Sequence, residues 1–223
     1  MRPNILKKLN EMAETKIIEP IEGIEVISGN NKLSEAFKWV IDNSTSNALP
    51  YHNLNHLLTV VKYVNNGIEN NDIPKDKVDI ILLAALFHDV NHSGGKETDD
   101  VNVSTAKDAF KTFLETVDWK VDTELVDELL DATQYPYVIE DLSLEQGIIR
   151  DADLMQVFEY NWVHQNIYGL AEELNIEFDK FISGQEKFLD SAEFTTEWGK
   201  KMKENNWESV LTGFNALKSV YTK

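Results

Sequence analysis

Ile80-Ile81-Leu82-Leu83-Ala84-Ala85-Leu86-Phe87 is the longest apolar run in the chain, and it stops on His88-Asp89. Its eight residues fall far short of the ~20 that cross a bilayer. Pro74 suits the first turn of a helix, so the spacing predicts a helix from there to about Asp89. Such a helix is apolar nearly all round and belongs at the centre of a helical domain. Asn91 to Gly95 must be a loop, given Gly94-Gly95. Ending the helix on an imidazole and a carboxylate puts two polar groups beside the core. That is costly unless they are paired or bound to metal.

Helical spacing continues on both sides. Asn53 to Asn66 carries Leu54, Leu57, Leu58, Val61 and Val64 on one side, and 33–43 carries Leu33, Phe37, Val40 and Ile41. Residues 4–15 suit a short amphipathic helix. Ile17 to Ile27, with Pro20 and Gly23, reads as irregular or weakly extended. Downstream, helices are expected at about 100–117, 121–134, 144–160, 163–174, 177–190 and 191–220, the last with a break. Ser143 followed by Gln146 reads as a capping box. The sum is an all-α domain of roughly eight to ten helices. Residues 1–45 are expected to form an N-terminal accessory segment before a main domain over 46–223.

Composition narrows the chemistry. The 223 residues include 21 basic and 39 acidic side chains, a net charge of −18. A surface this negative repels phosphate backbones and anionic lipid, so duplex nucleic acid and membranes are not expected partners. A small anionic substrate needs local cations, which points towards bound metal. There is no cysteine, which excludes disulfides, thiolate catalysis and iron–sulfur clusters. The N-terminus has no apolar signal core, so a cytoplasmic protein is expected.

The five histidines are His52, His56, His88, His92 and His164. His52 and His56, four apart, share one face of a helix. His88 and Asp89 end the most apolar helix, and His92 follows in the loop. Asp151 and Asp153 stand further on, one of them inward and the other at a cap. Neutral imidazole with carboxylate is a common divalent-metal shell for zinc, iron, nickel, manganese or cobalt. His164 reads as a partly buried surface histidine, Tyr51 as packing, Thr133-Gln134-Tyr135 as a helix terminus, and Trp198 and Trp207 as core or interface aromatics.

Three motifs carry a resemblance. Tyr51-His52-Asn53-Leu54-Asn55-His56, Leu86-Phe87-His88-Asp89-Val90-Asn91-His92 and Ala152-Asp153-Leu154 together resemble the HD metal-dependent phosphohydrolase superfamily. Within it the chain is most similar to the class I cyclic-nucleotide phosphodiesterases. Gln185-Glu186-Lys187-Phe188 resembles their base-holding segment, and Asn102-Val103-Ser104-Thr105-Ala106 loosely resembles a segment of bacterial HD hydrolases. The resemblance implies an HD-domain-like bundle with two divalent ions, of Mg, Mn, Fe, Zn, Ni or Co. His56, His88, Asp89 and Asp153 would be ligands, with Asp89 bridging. His52 would be the general acid, and His92 would lie near the activated water. Gln185 and Phe188 would flank the substrate's base. Asn91 stands where the family has a second Asp, Ser93-Gly94-Gly95 where it has Pro-Gly, and Met155-Gln156-Val157 where it has Ser-Asn-Pro.

The expected function is therefore metal-dependent hydrolysis of a phosphodiester in a 3′,5′-cyclic or related small nucleotide. The alternative is an HD-type nucleotidase acting on nucleoside mono- or triphosphates; the scarcity of Lys and Arg near the motifs counts against triphosphates. A diiron oxygenase would need more histidine ligands, and a non-catalytic sensor would often have lost one.

Overall fold

The computed structural model describes residues 19–221, so the helix expected at 4–15 lies outside the described residues. Among those residues there are ten α-helices and no strand, an all-α bundle. They are α1 (Glu19–Ser28), α2 (Asn31–Asn43), α3 (Leu54–Glu69), α4 (Lys75–Phe87), α5 (Asp99–Leu114), α6 (Thr123–Asp131), α7 (Leu144–Leu154), α8 (Leu170–Glu173), α9 (Phe178–Ser191) and α10 (Glu197–Tyr221). No helix among the described residues is long and apolar enough to cross a membrane.

The apolar run is α4, and it is the axis of the bundle. Every residue from Ile81 to Phe87 is buried. α2, α3, α5, α6 and α7 all pack on α4, which is why its second half carries no polar face. Leu33, Ala36 and Val40 of α2 are fully buried in this same core. A second apolar cluster joins Val157, Trp162, Ile167, Phe181, Leu189 and Phe214, from the segments that follow α7. Trp198 packs in the first cluster, and Trp207 touches both.

Four stretches differ from the sequence expectation. Ile17 to Ile27 is not irregular over its described part, because α1 starts at Glu19. Pro20 falls in the first turn, where no intrahelical N–H partner is needed. Gly23 lets α1 lie close on α3: a Cβ there would stand 2.4 Å from the Leu58 carbonyl oxygen. The helix expected over 144–160 stops at Leu154 and tightens into a 3-10 turn, Met155–Phe158. The helix expected over 163–174 opens with a π-helical stretch, Val163–Gly169. That stretch lies against residues 50–53, where the Gln165 amide donates to the Tyr51 carbonyl and to Asn53 Oδ1, both at 3.3 Å. The helix expected over 191–220 starts instead at Glu197, after non-helical residues 192–196, and runs to Tyr221 without the expected break. The Ser143–Gln146 capping box starts α7 as read from the sequence.

Candidate metal centre

Three helix ends bring the cluster together. The Asn53 side chain caps α3 by accepting from the N–H groups of Asn55 and His56, which sets His56 in the first turn. α4 ends at Phe87, so His88 and Asp89 emerge from the core where the helix stops. Asp153 lies in the last turn of α7. His56 Nε2 is 3.1 Å from His88 Nε2, 3.1 Å from Asp89 Oδ2 and 3.2 Å from Asp153 Oδ1. His88 Nε2 is 3.0 Å from Asp89 Oδ2 and 3.7 Å from Asp153 Oδ1. Donors bound about 2.1 Å from one ion, at tetrahedral or octahedral angles, stand roughly 3.0–3.4 Å apart. Four of these five separations fall in that range and the fifth, His88 to Asp153, is slightly longer, so the group could hold one ion.

The ring tautomers fit it too. His88 Nδ1 is 2.8 Å from the Ala85 carbonyl, which can only accept, so the ring proton is on Nδ1. His56 Nδ1 donates in the same way to Gln156 Oε1 at 3.3 Å. Both Nε2 lone pairs are thus turned to the same point, the arrangement expected of ligating histidines held by their outer partners. Burial alone would lower the pKa of His56, but the Asp153 and Asp89 carboxylates overcome it and hold the ring up at about 9. His88 is raised against its own burial by the same two carboxylates. Asp89 and Asp153 are partly buried, and desolvation works to raise them, yet the imidazoles pull both below the usual carboxylate range. These groups can hold a metal ion.

A second pair lies beside the first. The His52 and His92 rings stack with centroids 3.6 Å apart, and with Asp89 they form another group whose ligand atoms converge. Glu173, at the end of α8, organises this pair. Its Oε2 accepts the N–H groups of Tyr51 at 2.9 Å and His52 at 3.0 Å, and its Oε1 meets His52 Nδ1. His92 Nδ1 accepts the Gly94 N–H at 3.1 Å, and its Nε2 lies 2.9 Å from the Asn102 side-chain amide. Burial and the neighbouring His52 push His92 down to about 4, so its ring is neutral at neutral pH.

The remaining expectations separate cleanly. Asp153 joins the cluster and Asp151 does not. The buried Asp151 carboxylate accepts from the backbone N–H and hydroxyl groups of Thr195 and Thr196, tying down the start of α10. Tyr51 packs against His52 and His56. His164 is exposed rather than partly buried, and belongs to neither group. Asn91 faces away from the cluster: at φ 64 its side chain accepts from the Thr45 N–H at 2.8 Å. Glu173 and Gln156 had no signal in the sequence, one lying among many acids and the other standing out only as a departure from a motif.

The cluster opens on a cavity of about 450 Å³. His52, His92 and Asp153 form one wall, and Gln185 and Phe188 of α9 stand in the lining with Tyr135 and Tyr137. α6 ends at Asp131, before the terminus expected near Tyr135, and this leaves Tyr135 free to line the cavity. Among the described residues, no Lys or Arg lines it. Comparison with models of protein families and with curated proteins finds no match for the chain.

Proposed function

We propose that the chain is a metal-dependent phosphohydrolase that cleaves a phosphodiester in a small nucleotide, a 3′,5′-cyclic nucleotide in the reading favoured by the resemblance of its motifs. One observation carries this reading. Four ligand atoms from three helix ends converge with both imidazole lone pairs inward, at the edge of a cavity of small-molecule size. Asp89 lies against His56 and His88 and also faces the His52–His92 side, so it is the carboxylate that would join a second ion held otherwise largely by water. A bound pair of divalent ions supplies a water acidified towards neutral pH and offsets phosphate charge.

The chain's own residues do the rest. Glu173 holds His52 through Nδ1 and through its backbone N–H, which leaves Nε2 to hand a proton to the departing alkoxide. The neutral His92 ring, stacked on His52, keeps that side chain from swinging. Gln185 and Phe188 are the side chains for the organic part of the substrate. The lack of Lys and Arg in the lining favours one phosphate over three.

The test is a panel of 3′,5′-cyclic nucleotides, nucleoside mono- and triphosphates and bis(p-nitrophenyl) phosphate, each with Mn, Mg, Ni and Fe added to metal-stripped protein. Turnover of a phosphodiester that depends on added metal is expected. Turnover of non-cyclic nucleotides alone would move the reading to a nucleotidase. No hydrolysis of any member with any metal would overturn it.

A further inference from the structure

Part of the lining beside the metal ligands is built from rings and acceptors. Tyr135 meets Tyr137 at 5.4 Å between centroids and 90° between planes, and meets Phe188 at 6.1 Å and 74°. All three rings line the cavity, and both contacts are edge-to-face rather than stacked, while one face of Tyr137 is covered by the Arg150 guanidinium. Asp99 stands at the root of this group, where its Oδ2 accepts the Tyr135 N–H at 2.6 Å. Glu97 lines the same cavity, and so does Asn166, a buried residue whose Oδ1 has no hydrogen-bond partner. The Arg150 guanidinium does not line the cavity. It lies over the Tyr137 ring at 4.2 Å and is held by the Ala132 and Ile139 carbonyls.

Aromatic faces attract ammonium groups, and do so more strongly once water is excluded. A carboxylate beside them adds charge complementarity, and an orphaned buried amide oxygen awaits a donor. No Lys or Arg among the described residues lines this part of the cavity. We propose that this wall receives a positively polarised nitrogen, so that the substrate is a phosphoester whose organic part carries an ammonium group or an exocyclic amine. The inference rests on the phosphohydrolase reading of the metal centre and adds the chemical class of a group on the substrate's organic part.

Two matched pairs test it on the metal-loaded protein. The first is p-nitrophenyl phosphocholine against p-nitrophenyl 3,3-dimethylbutyl phosphate, in which a neutral carbon replaces the quaternary nitrogen. The second is cyclic AMP against cyclic IMP, in which an oxo group replaces the amine. Both kcat/KM and the calorimetric Kd are measured. A preference of about tenfold or more for the nitrogen-bearing member of either pair is expected. The pair that shows it names the source of the nitrogen. The preference should shrink in Tyr135→Leu and in Phe188→Leu, each checked for native helix content. Equal affinity within both pairs, with bis(p-nitrophenyl) phosphate still hydrolysed, would overturn the inference and spare the hydrolase reading. A binding preference with no turnover of any phosphoester would do the reverse.

Discussion

The two histidine pairs lie side by side, yet they are built by opposite means. His56 and His88 give their outer nitrogens to Gln156 and to the Ala85 carbonyl, and their inner nitrogens are 3.1 Å apart with nothing but carboxylates beside them. Both are raised in pKa. His52 and His92 are stacked ring on ring, and their nitrogens are engaged by Glu173, Gly94 and Asn102. His92 is pushed down instead. The difference shows that an imidazole's role is set by what its second nitrogen touches. The first pair is arranged to surrender lone pairs to an ion, and the second to hold an orientation at the cavity wall.

The largest effect should come from the carboxylate common to both pairs. Asp89→Ala is expected to abolish hydrolysis and to reduce bound metal, read by elemental analysis of the purified protein. Full activity in that variant would falsify the shared-carboxylate arrangement. His52→Ala separates the pairs next: kcat should fall about 10²–10⁴-fold while metal content stays intact. Loss of metal would instead make His52 a ligand and erase the contrast.

Glu173→Gln sharpens the contrast further. It keeps the size of the side chain but weakens its grip on His52, so kcat should drop roughly 10–100-fold, the usual cost of losing an orienting partner. Metal content should not change, and a variant indistinguishable from the parent would leave His52 without need of its anchor.

The smallest effect is in pH dependence. Because His56 is raised from its ordinary value to about 9, its protonated form stabilises the metal-stripped fold. That stabilisation is fully present below the unfolded-state pKa near ~6.5 and is lost as pH climbs through about 9. A metal ion and the proton compete for the same Nε2. The rise in melting temperature on adding metal should therefore grow between pH 6 and pH 9, by roughly 2–4 °C for each kcal/mol of extra binding. A rise that is the same at both ends would show that His56 gives up no proton to the ion.

How much of this could be read in the chain varies element by element. α4 was legible because a helix whose second half has no polar face can only be central. The Ser143–Gln146 cap was legible because both partners lie within one turn. α1 was misread because Pro20 and Gly23 look like breakers until their positions in the turn and against α3 are known. The 3-10 and π segments escaped because one turn of altered winding leaves the apolar period nearly unchanged. In the site, His56, His88 and Asp89 stood out from the background as rare polar groups against an apolar helix. Asp151 and Asp153 could not be told apart two residues from each other, and the hydrogen bonds from Thr195 and Thr196 made the separation.

By itself the sequence determined the helices, the central place of α4 and the kinds of side chain available for a metal, because these follow from residue type and spacing within a few turns. Tertiary structure alone decided that Glu173 reaches His52, that Gln156 turns His56 inward and that Tyr135, Asp99 and Phe188 share a wall. Those contacts join residues far apart in the chain, and no local pattern records which distant side chain will arrive.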